Sequence, residues 1–217
     1  MLDSEIRQHV IEELEFEPRV NATHIGVAVA NNIVTLSGHV SSYVEKLAAE
    51  QAAKRVKGVY GIAQEIEVRP PSDSKLSDEE IAARAVHDIK WESATPNGVV
   101  QVSVHNGWIT LTGKVGQYFH KYSAEHSIHK LTGVRGVTNN IEVIPDVTIT
   151  DVKNRIVNAL RRNAEIEAAN IQLQVENGKV ITRGKVSSWH ERDLVLSAAR
   201  SVPGIREIED HLILGSK

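Results

Sequence analysis

One short sequence pattern occurs three times in this chain and limits the folds that the chain can adopt. The copies read NNIVTLSGHV at 31–40, NGWITLTGKV at 106–115 and NGKVITRGKV at 177–186. The glycine near the end of each copy is followed by another glycine twenty positions later. Recurrence at a fixed spacing indicates one structural unit that is repeated. The six glycines, which we expect to be structural, are Gly38, Gly58, Gly113, Gly133, Gly184 and Gly204.

The residues around the pattern predict a helix followed by a β-hairpin. Each repeat begins with apolar residues four apart, such as Ile6, Val10 and Leu14, which is the spacing of one helix face, and we expect Asp3 to cap this helix. Apolar and small or polar residues then alternate, as at 25–30, which is typical of a strand with one buried face. Two residues that tolerate positive φ predict a tight turn. They are Asn31-Asn32, Asn106-Gly107 and Asn177-Gly178.

A second helix and a third strand complete each repeat. The inner stripe of the helix is mostly small, as at Ala49, Ala52 and Ala53, so the helix can lie close to the sheet. We expect the first glycine of each repeat to allow this approach and the second glycine to end the helix. A strand with Ile66 and Val68 on its inner face follows.

The predicted fold class is therefore α+β, with three tandem αββαβ two-layer domains. In each domain two helices cover one face of a three-stranded sheet. Short linkers that contain proline separate the units. The predicted domains are residues 1–70, 76–145 and 148–215.

Composition and charge exclude several function classes. The chain has no cysteine, which excludes disulfides, zinc–thiolate sites and thiol nucleophiles. A net charge of -3 argues against nucleic acid as a partner, and no apolar run approaches the ~18 residues of a transmembrane helix. Residues 1–18 are acidic and do not resemble a secretory signal. We therefore expect a cytoplasmic protein, with the periplasm as the alternative if a signal peptide has been removed.

The repeat resembles the BON domain, which is named for bacterial osmotically inducible and nodulation proteins. The family pattern V-x-N-G-x-V-x-L-x-G-x-V is fullest from Val104 to Val115. The second pattern, V-x-G-V-x-x-V-x-N-x-I-x-V, stands at 131–143 with leucine in first place. The resemblance implies the αββαβ fold, a binding module rather than a catalyst, a link to osmotic or envelope stress and phospholipid as a ligand.

The motifs give no indication of catalytic residues, a cofactor or a metal site. Neither a G-x-S-x-G elbow nor a phosphate-binding glycine loop occurs. His126 and His129 lie three apart on a predicted helix and could form part of a metal site, but Glu125 is the one carboxylate nearby. We interpret both histidines as solvated surface residues.

An aromatic residue and a basic residue recur together at the start of each second helix. Such a pair suits a membrane interface or a partner surface. The alternative is that the ring packs over the helix end and the cation is solvated. The pairs are Tyr43 with Lys46, Tyr118 with Lys121, and Trp189 with Arg192.

The third repeat is net positive, whereas the other two are net negative. Lys179, Arg183 and Lys185 lie an even number of residues apart and share one face of a strand. With Trp189 they are predicted to form one patch that meets an anionic surface, and the alternative is an ordinary charged sheet face. Trp108 points away from the predicted helices and marks a contact with another repeat or a partner.

The sequence therefore predicts a non-catalytic binding or scaffold protein of osmotic or envelope stress, not an enzyme. Its partner would be an anionic phospholipid surface or a protein. The alternative is a cytoplasmic sensor of a small ligand or of an ion such as K⁺, in the manner of a potassium-binding relative in the same family.

Overall fold

The fold consists of three αββαβ repeats, as the sequence predicts. The computed structural model describes residues 1–71, 76–92, 100–144, 151–163 and 170–215, with the side chains at 91 and 92 excepted. Both predicted linkers lie mainly outside the described residues, so the domain boundaries stay predictions.

Each repeat has its elements in the same order and at similar lengths. Repeat one contains α1 (Asp3–Phe16), β1 (Ile25–Ala30), β2 (Ile33–Val40), α2 (Tyr43–Arg55) and β3 (Gly61–Val68). Repeat two contains α3 (Asp78–Glu92), β4 (Val100–His105), β5 (Trp108–Val115), α4 (Tyr118–Ile128) and β6 (Gly136–Val143). Repeat three contains α5 (Val152–Arg162), β7 (Ile171–Glu176), β8 (Lys179–Val186), α6 (Trp189–Arg200) and β9 (Glu207–Leu214).

The second strand of each repeat is the centre of its sheet. β1 pairs with β2 antiparallel and β3 pairs with β2 parallel. The second pairing is parallel because α2 carries the chain back to the end of the sheet at which β2 begins. β7, β8 and β9 pair in the same way. The hairpin turns have the predicted positive φ, for example 51° at Asn106 and 76° at Gly107.

The helices of repeat one cover one face of its sheet. Ile6, Val10 and Leu14 of α1 pack with Val34 and Leu36 of β2 in one buried cluster that also contains three alanines of α2. Repeat three has the equivalent cluster. The side chains that alternate with these buried residues along the strands, such as Ile33, point to solvent and leave the second face of the sheet open.

The described contacts divide the chain into two compact units. One contains Met1–Asp88, Val102–Thr110 and His126–Thr138, and the other contains Ile89–Gln101, Leu111–Glu125 and Asn139–Lys217. Repeat one lies in the first unit and repeat three in the second, whereas residues of repeat two belong to both.

The role expected of the first glycine in each repeat was wrong in one respect. Gly38 has φ 108°, and a Cβ added there would overlap the carbonyl oxygen of His24, the residue before β1, rather than α1 or α2. Gly184 has φ 132° and meets the carbonyl of Asn170 in the same way. The close approach is therefore between the central strand and the backbone just before its neighbouring strand, and a residue without a Cβ allows it.

The second glycine does not end the helix directly. α2 ends at Arg55, and the chain makes a further turn in which Val59 N–H donates to Val56 O at 3.3 Å. Gly58, with φ 91°, is the third residue of that turn, which is where a type II turn needs positive φ. Gly133 and Gly204 have φ 90° and 87° beyond α4 and α6.

Glu17 at the end of α1 gives repeat one a measurable dependence on pH. Arg19 donates to the buried Glu17 carboxylate at 2.7 Å and Arg55 donates at 3.0 Å. The bond from Arg19 is the main cause that lowers the Glu17 pKa from 4.5 to about 2, although burial opposes it. A lowered carboxyl pKa stabilises the fold above the unfolded value and loses this contribution as pH falls.

We therefore expect Glu17→Gln to destabilise repeat one at pH 7, and the difference from the unsubstituted chain to shrink between pH 4.5 and pH 2. Hydrogen exchange of the β2 amides at pH 7 and at pH 3 would measure it. A difference of equal size at both pH values would contradict this assignment.

Candidate functional site

The three basic residues predicted on one strand do share the open face of the third sheet. Lys179, Arg183 and Lys185 lie on β8, on the face opposite to the buried residues Val180, Thr182 and Val186. β8 is the central strand, so side chains of β7 and β9 flank these residues on both sides. The face is therefore a mixed surface whose charge depends on those neighbours.

The neighbours neutralise Lys179. Its ammonium lies 2.5 Å from Glu209 and 3.6 Å from Glu207 on β9. The hydrogen bond to Glu209 raises the pKa of Lys179 and keeps it protonated. Lys179 thus belongs to an ion-pair network at one end of the sheet and adds little to a positive surface.

The opposite end of the same face is basic and partly apolar. Arg183 lies opposite His211 on β9, and Lys185 lies opposite Ile213. Arg183, Lys185 and His211 are exposed, and the Ile213 side chain is 64% exposed. Within the described part of the chain, no carboxylate lies within ion-pair distance of Arg183 or Lys185. We call these four residues the basic end of sheet three.

Trp189 and Arg192 lie in a different layer from this face, because both are on α6, which packs on the buried side of the sheet. The Arg192 guanidinium lies 5.0 Å from the Trp189 ring centroid and donates to Asp210 of β9 at 2.6 Å. Asp210 also accepts from the hydroxyl of the buried Thr182 at 3.4 Å. These contacts link α6 to the third strand.

The cation at this position is therefore bound to the protein in repeat three rather than solvated. In repeat one, the equivalent Lys46 donates to the Ile66 carbonyl of β3 at 2.6 Å, and burial lowers its pKa. In repeat two, Asn139 of β6 donates to the Lys121 carbonyl at 2.9 Å. All three repeats thus join the second helix to the third strand here, since a polar group beside a buried strand needs a partner.

Trp108 lies on the open face of the second sheet and is 50% exposed. Its ring covers Gly136 of the neighbouring strand, where an added Cβ would overlap it. The indole N–H donates to the Thr138 hydroxyl at 2.9 Å. The position away from the helices is as predicted, and a contact with a partner stays a prediction.

The histidine pair is not simply solvated as we expected. The His126 and His129 rings lie edge to face with centroids 5.6 Å apart. His129 also packs edge-on against Tyr43 of repeat one at 5.4 Å. Among the residues that the structure describes, no group of three or more His, Asp or Glu side chains could hold a metal ion.

A cavity of about 310 Å³ lies between α1 and β1 of repeat one. Glu15 is the one titratable residue among those that line it, so the cavity lacks the paired titratable groups that acid–base catalysis needs. The residues that line it are Ile11, Leu14, Glu15, Val20, Asn21, Ala22, Thr23, Ile25 and Val27.

Two carboxylates position the hairpins of the first two repeats, a role that the sequence pattern did not predict. Leu2, rather than Asp3, is the N-cap of α1. The Asp3 side chain accepts from Asn31 and Asn32 N–H at 2.8 and 3.0 Å. Asp78 accepts from Asn106 and Gly107 N–H at 2.7 and 2.9 Å. The sequence signal for this role is the aspartate that stands at the same distance before both turns, Asp3 and Asp78.

Glu45 was also missed as a link between elements. Its buried carboxylate accepts from Asn21 N–H at 2.9 Å and from the N–H and hydroxyl of Ser41 at 2.9 and 2.7 Å. Glu191 accepts from both groups of Ser187 in repeat three. The carboxylate thus fixes the start of the second helix.

Comparisons with known proteins found the following similarities. The chain is 27% identical over 150 residues to osmotically-inducible protein Y of Escherichia coli, which covers 65% of this chain and 73% of that protein. CdsD, a structural protein of the type III secretion system of Chlamydia trachomatis, matches at 13% identity and a TM-score of 0.27 over 97% of this chain and 92% of that one. The PrgH periplasmic domain matches at 11% identity and a TM-score of 0.23 over 90% and 97%.

Within the described residues, no helix has both the length and the apolar character needed to cross a membrane. The family model of the BON domain matches three times, at residues 2–70, 77–145 and 148–216. Its three matches coincide with the three αββαβ repeats. The chain therefore belongs to the BON domain family and carries three tandem copies of that domain.

Proposed function

We propose that this chain is a non-catalytic binding protein of the osmotic or envelope stress response, and that its third domain contacts anionic phospholipid. The observation that carries the proposal is the basic end of sheet three. Two cations without carboxylate partners in the described structure stand there beside an exposed isoleucine. The similarity to a protein named for its osmotic induction supports the stress role.

The chemistry of this surface suits the interface of a bilayer. Each Lys or Arg near an anionic membrane contributes about 1 kcal/mol, so Arg183 and Lys185 together contribute about 2 kcal/mol. Ile213, at 64% exposure, can enter the headgroup region and gain the free energy of apolar burial. The proposal applies to a cytoplasmic as well as to a periplasmic protein, because it needs only an anionic phospholipid surface.

Co-sedimentation with vesicles of anionic or neutral phospholipid tests the proposal. We expect binding to anionic vesicles that falls with salt, and a loss of roughly thirtyfold or more in partitioning for Arg183→Glu/Lys185→Glu. The control Lys114→Glu/Lys130→Glu makes the same change in net charge on repeat two and should bind as the unsubstituted chain does. Equal, negligible pelleting with both lipids would remove the lipid-binding function.

A further inference from the structure

The outer edge of β1 in repeat one presents backbone groups that can bind a further strand. β1 is an edge strand of its sheet. Ala30 and Ile33 flank the two-residue turn as a hydrogen-bonded pair, so Val27 and Val29 direct their N–H and C=O groups away from β2. The exposed Arg7 side chain donates to the Val27 carbonyl at 3.0 Å. Among the residues that the structure describes, nothing accepts from the N–H of Val27 or Val29.

The open-face side chains of β1 do not protect this edge. They are Gly26, Ala28 and Ala30, which are small and uncharged. Charged side chains are one of the features by which proteins keep other strands away from a sheet edge. The equivalent strands of the other two repeats carry polar or charged residues at these positions, namely Gln101, Ser103 and His105, and Gln172, Gln174 and Glu176. A strand added to β1 would therefore meet no bulky side chain of β1 on this face.

The cavity of repeat one lies beside the same edge. Ile25 and Val27 line it and are half-buried, whereas the equivalent Ile171 and Leu173 of β7 are buried. Ile11 of α1 contributes to the wall on the helix side. Successive side chains of a strand point to opposite faces, so a strand added to β1 would direct every second side chain toward α1 and the cavity. The cavity can therefore receive an apolar side chain of that strand.

Glu15 gives the cavity a negative charge. It is exposed, and in the described structure no cation lies within ion-pair distance of it. The equivalent residues are Lys90 in repeat two and Arg161 in repeat three, so the carboxylate is particular to repeat one. Residues 1–70 contain 7 basic and 10 acidic residues, which also favours a basic partner. A strand that fits this site carries Lys or Arg two residues from its apolar side chain, because such residues share a face.

We propose that repeat one binds an extended segment of a partner protein as a fourth strand beside β1. Carbonyl groups of the segment accept from the N–H groups of Val27 and Val29. An N–H of the segment replaces the exposed Arg7 at the Val27 carbonyl. One apolar side chain enters the cavity, and a basic side chain two residues away pairs with Glu15. In such strand addition the main-chain bonds give affinity, and the pockets for alternate side chains give specificity.

Two capped peptides, Thr-Val-Thr-Leu-Thr-Lys-Thr and the reversed sequence, test the proposal, because together they sample both strand directions. We expect at least one of them to bind the full chain in fluorescence anisotropy titrations up to about 1 mM. At saturation it should slow the exchange of the Val27 and Val29 amides with water, measured by nuclear magnetic resonance, by about tenfold or more. The same peptide methylated at every backbone nitrogen should not bind, because it cannot donate to β1.

Glu15→Arg introduces the residue found at the equivalent position of repeat three. The unsubstituted chain should prefer the lysine peptide to the peptide with glutamate in place of lysine, and Glu15→Arg should reverse this preference, a change of about tenfold or more in the ratio of affinities. Glu65→Arg on β3, the opposite edge strand, makes the same change in net charge and should leave the preference as it is. Each preference is a ratio within one variant, so partial unfolding does not alter it.

The proposal would be overturned by an absence of binding for both lysine peptides, or by equal binding of the methylated peptide. Unchanged exchange at Val27 and Val29, or a preference that Glu15→Arg leaves unaltered, would also contradict it. Exchange at these amides that slows with rising concentration of the chain alone would assign the edge to a second copy of the chain, and a partner segment would then be excluded. The site is on a different repeat from the basic end of sheet three, so failure of either proposal leaves the other intact.

Discussion

Replacing Gly38 with alanine is expected to destabilise the first repeat by about 3 kcal/mol or more. The new Cβ would meet the carbonyl oxygen of His24, which is backbone and cannot move without disturbing β1. The φ of 108° adds strain for any residue with a side chain. The steric overlap and the backbone strain both destabilise the central strand, which pairs with both other strands of the sheet.

Gly61→Ala is the matched control for this substitution. Gly61 lies in the same sheet, and its added Cβ would stand 3.4 Å from Ile33 Cγ1, an ordinary contact. We expect a change of about 0.5 kcal/mol or less there. The three tryptophans lie at 91, 108 and 189, outside repeat one, so hydrogen exchange of the β2 amides is the suitable measurement. Equal protection in the two variants would show that the close contact at Gly38 has no energetic consequence.

Replacing Glu45 with glutamine is expected to destabilise repeat one by about 2 kcal/mol at pH 7. Burial raises the pKa of Glu45, but the bonds from Asn21 and Ser41 outweigh it and lower the pKa below its ordinary value. An amide would keep one acceptor and turn an N–H donor toward another donor. Asn21 leads into β1, so the loss would loosen that strand as well as α2.

The difference between Glu45 and its glutamine variant should shrink as the pH falls below the unfolded carboxyl pKa, because the protonated acid also lacks the second acceptor. Glu50→Gln on the same helix is the control. Glu50 forms an i,i+4 pair with Lys54 near the surface, and such pairs contribute about 0.5 kcal/mol or less. Hydrogen exchange of the β1 amides would separate the two variants, and identical protection would contradict the linking role.

Much of the fold follows from local pattern in the sequence. The sequence pattern predicts directly which side chains are buried, as shown by the period-four spacing of Ile6, Val10 and Leu14 and by the alternation along 25–30. The Asn-Gly turns also follow from local chemistry, because few residues other than glycine and asparagine adopt positive φ. These signals recur three times, which makes each of them more reliable than it would be alone.

The parts that were missed depend on pairing across the sheet. Lys179 reads as a surface cation along β8, but its charge is neutralised by Glu207 and Glu209, more than twenty-five residues further along the chain. Arg192 likewise becomes structural through Asp210. Periodicity identifies the face of a strand but not the register of its neighbour, so it cannot show which charges meet. The position of Ile213 opposite Lys185 depends on the same register.

The central claim is that the chain repeats one αββαβ unit three times with the same strand-pairing register. Cross-strand nuclear Overhauser effects in the full chain test it most directly. The account predicts contacts between Val27 and Leu36 in repeat one and between Leu173 and Thr182 in repeat three, with the parallel pairs Gly38–Ile66 and Gly184–Leu212 beside them. A shifted register in either repeat, or strands that pair between repeats, would contradict it.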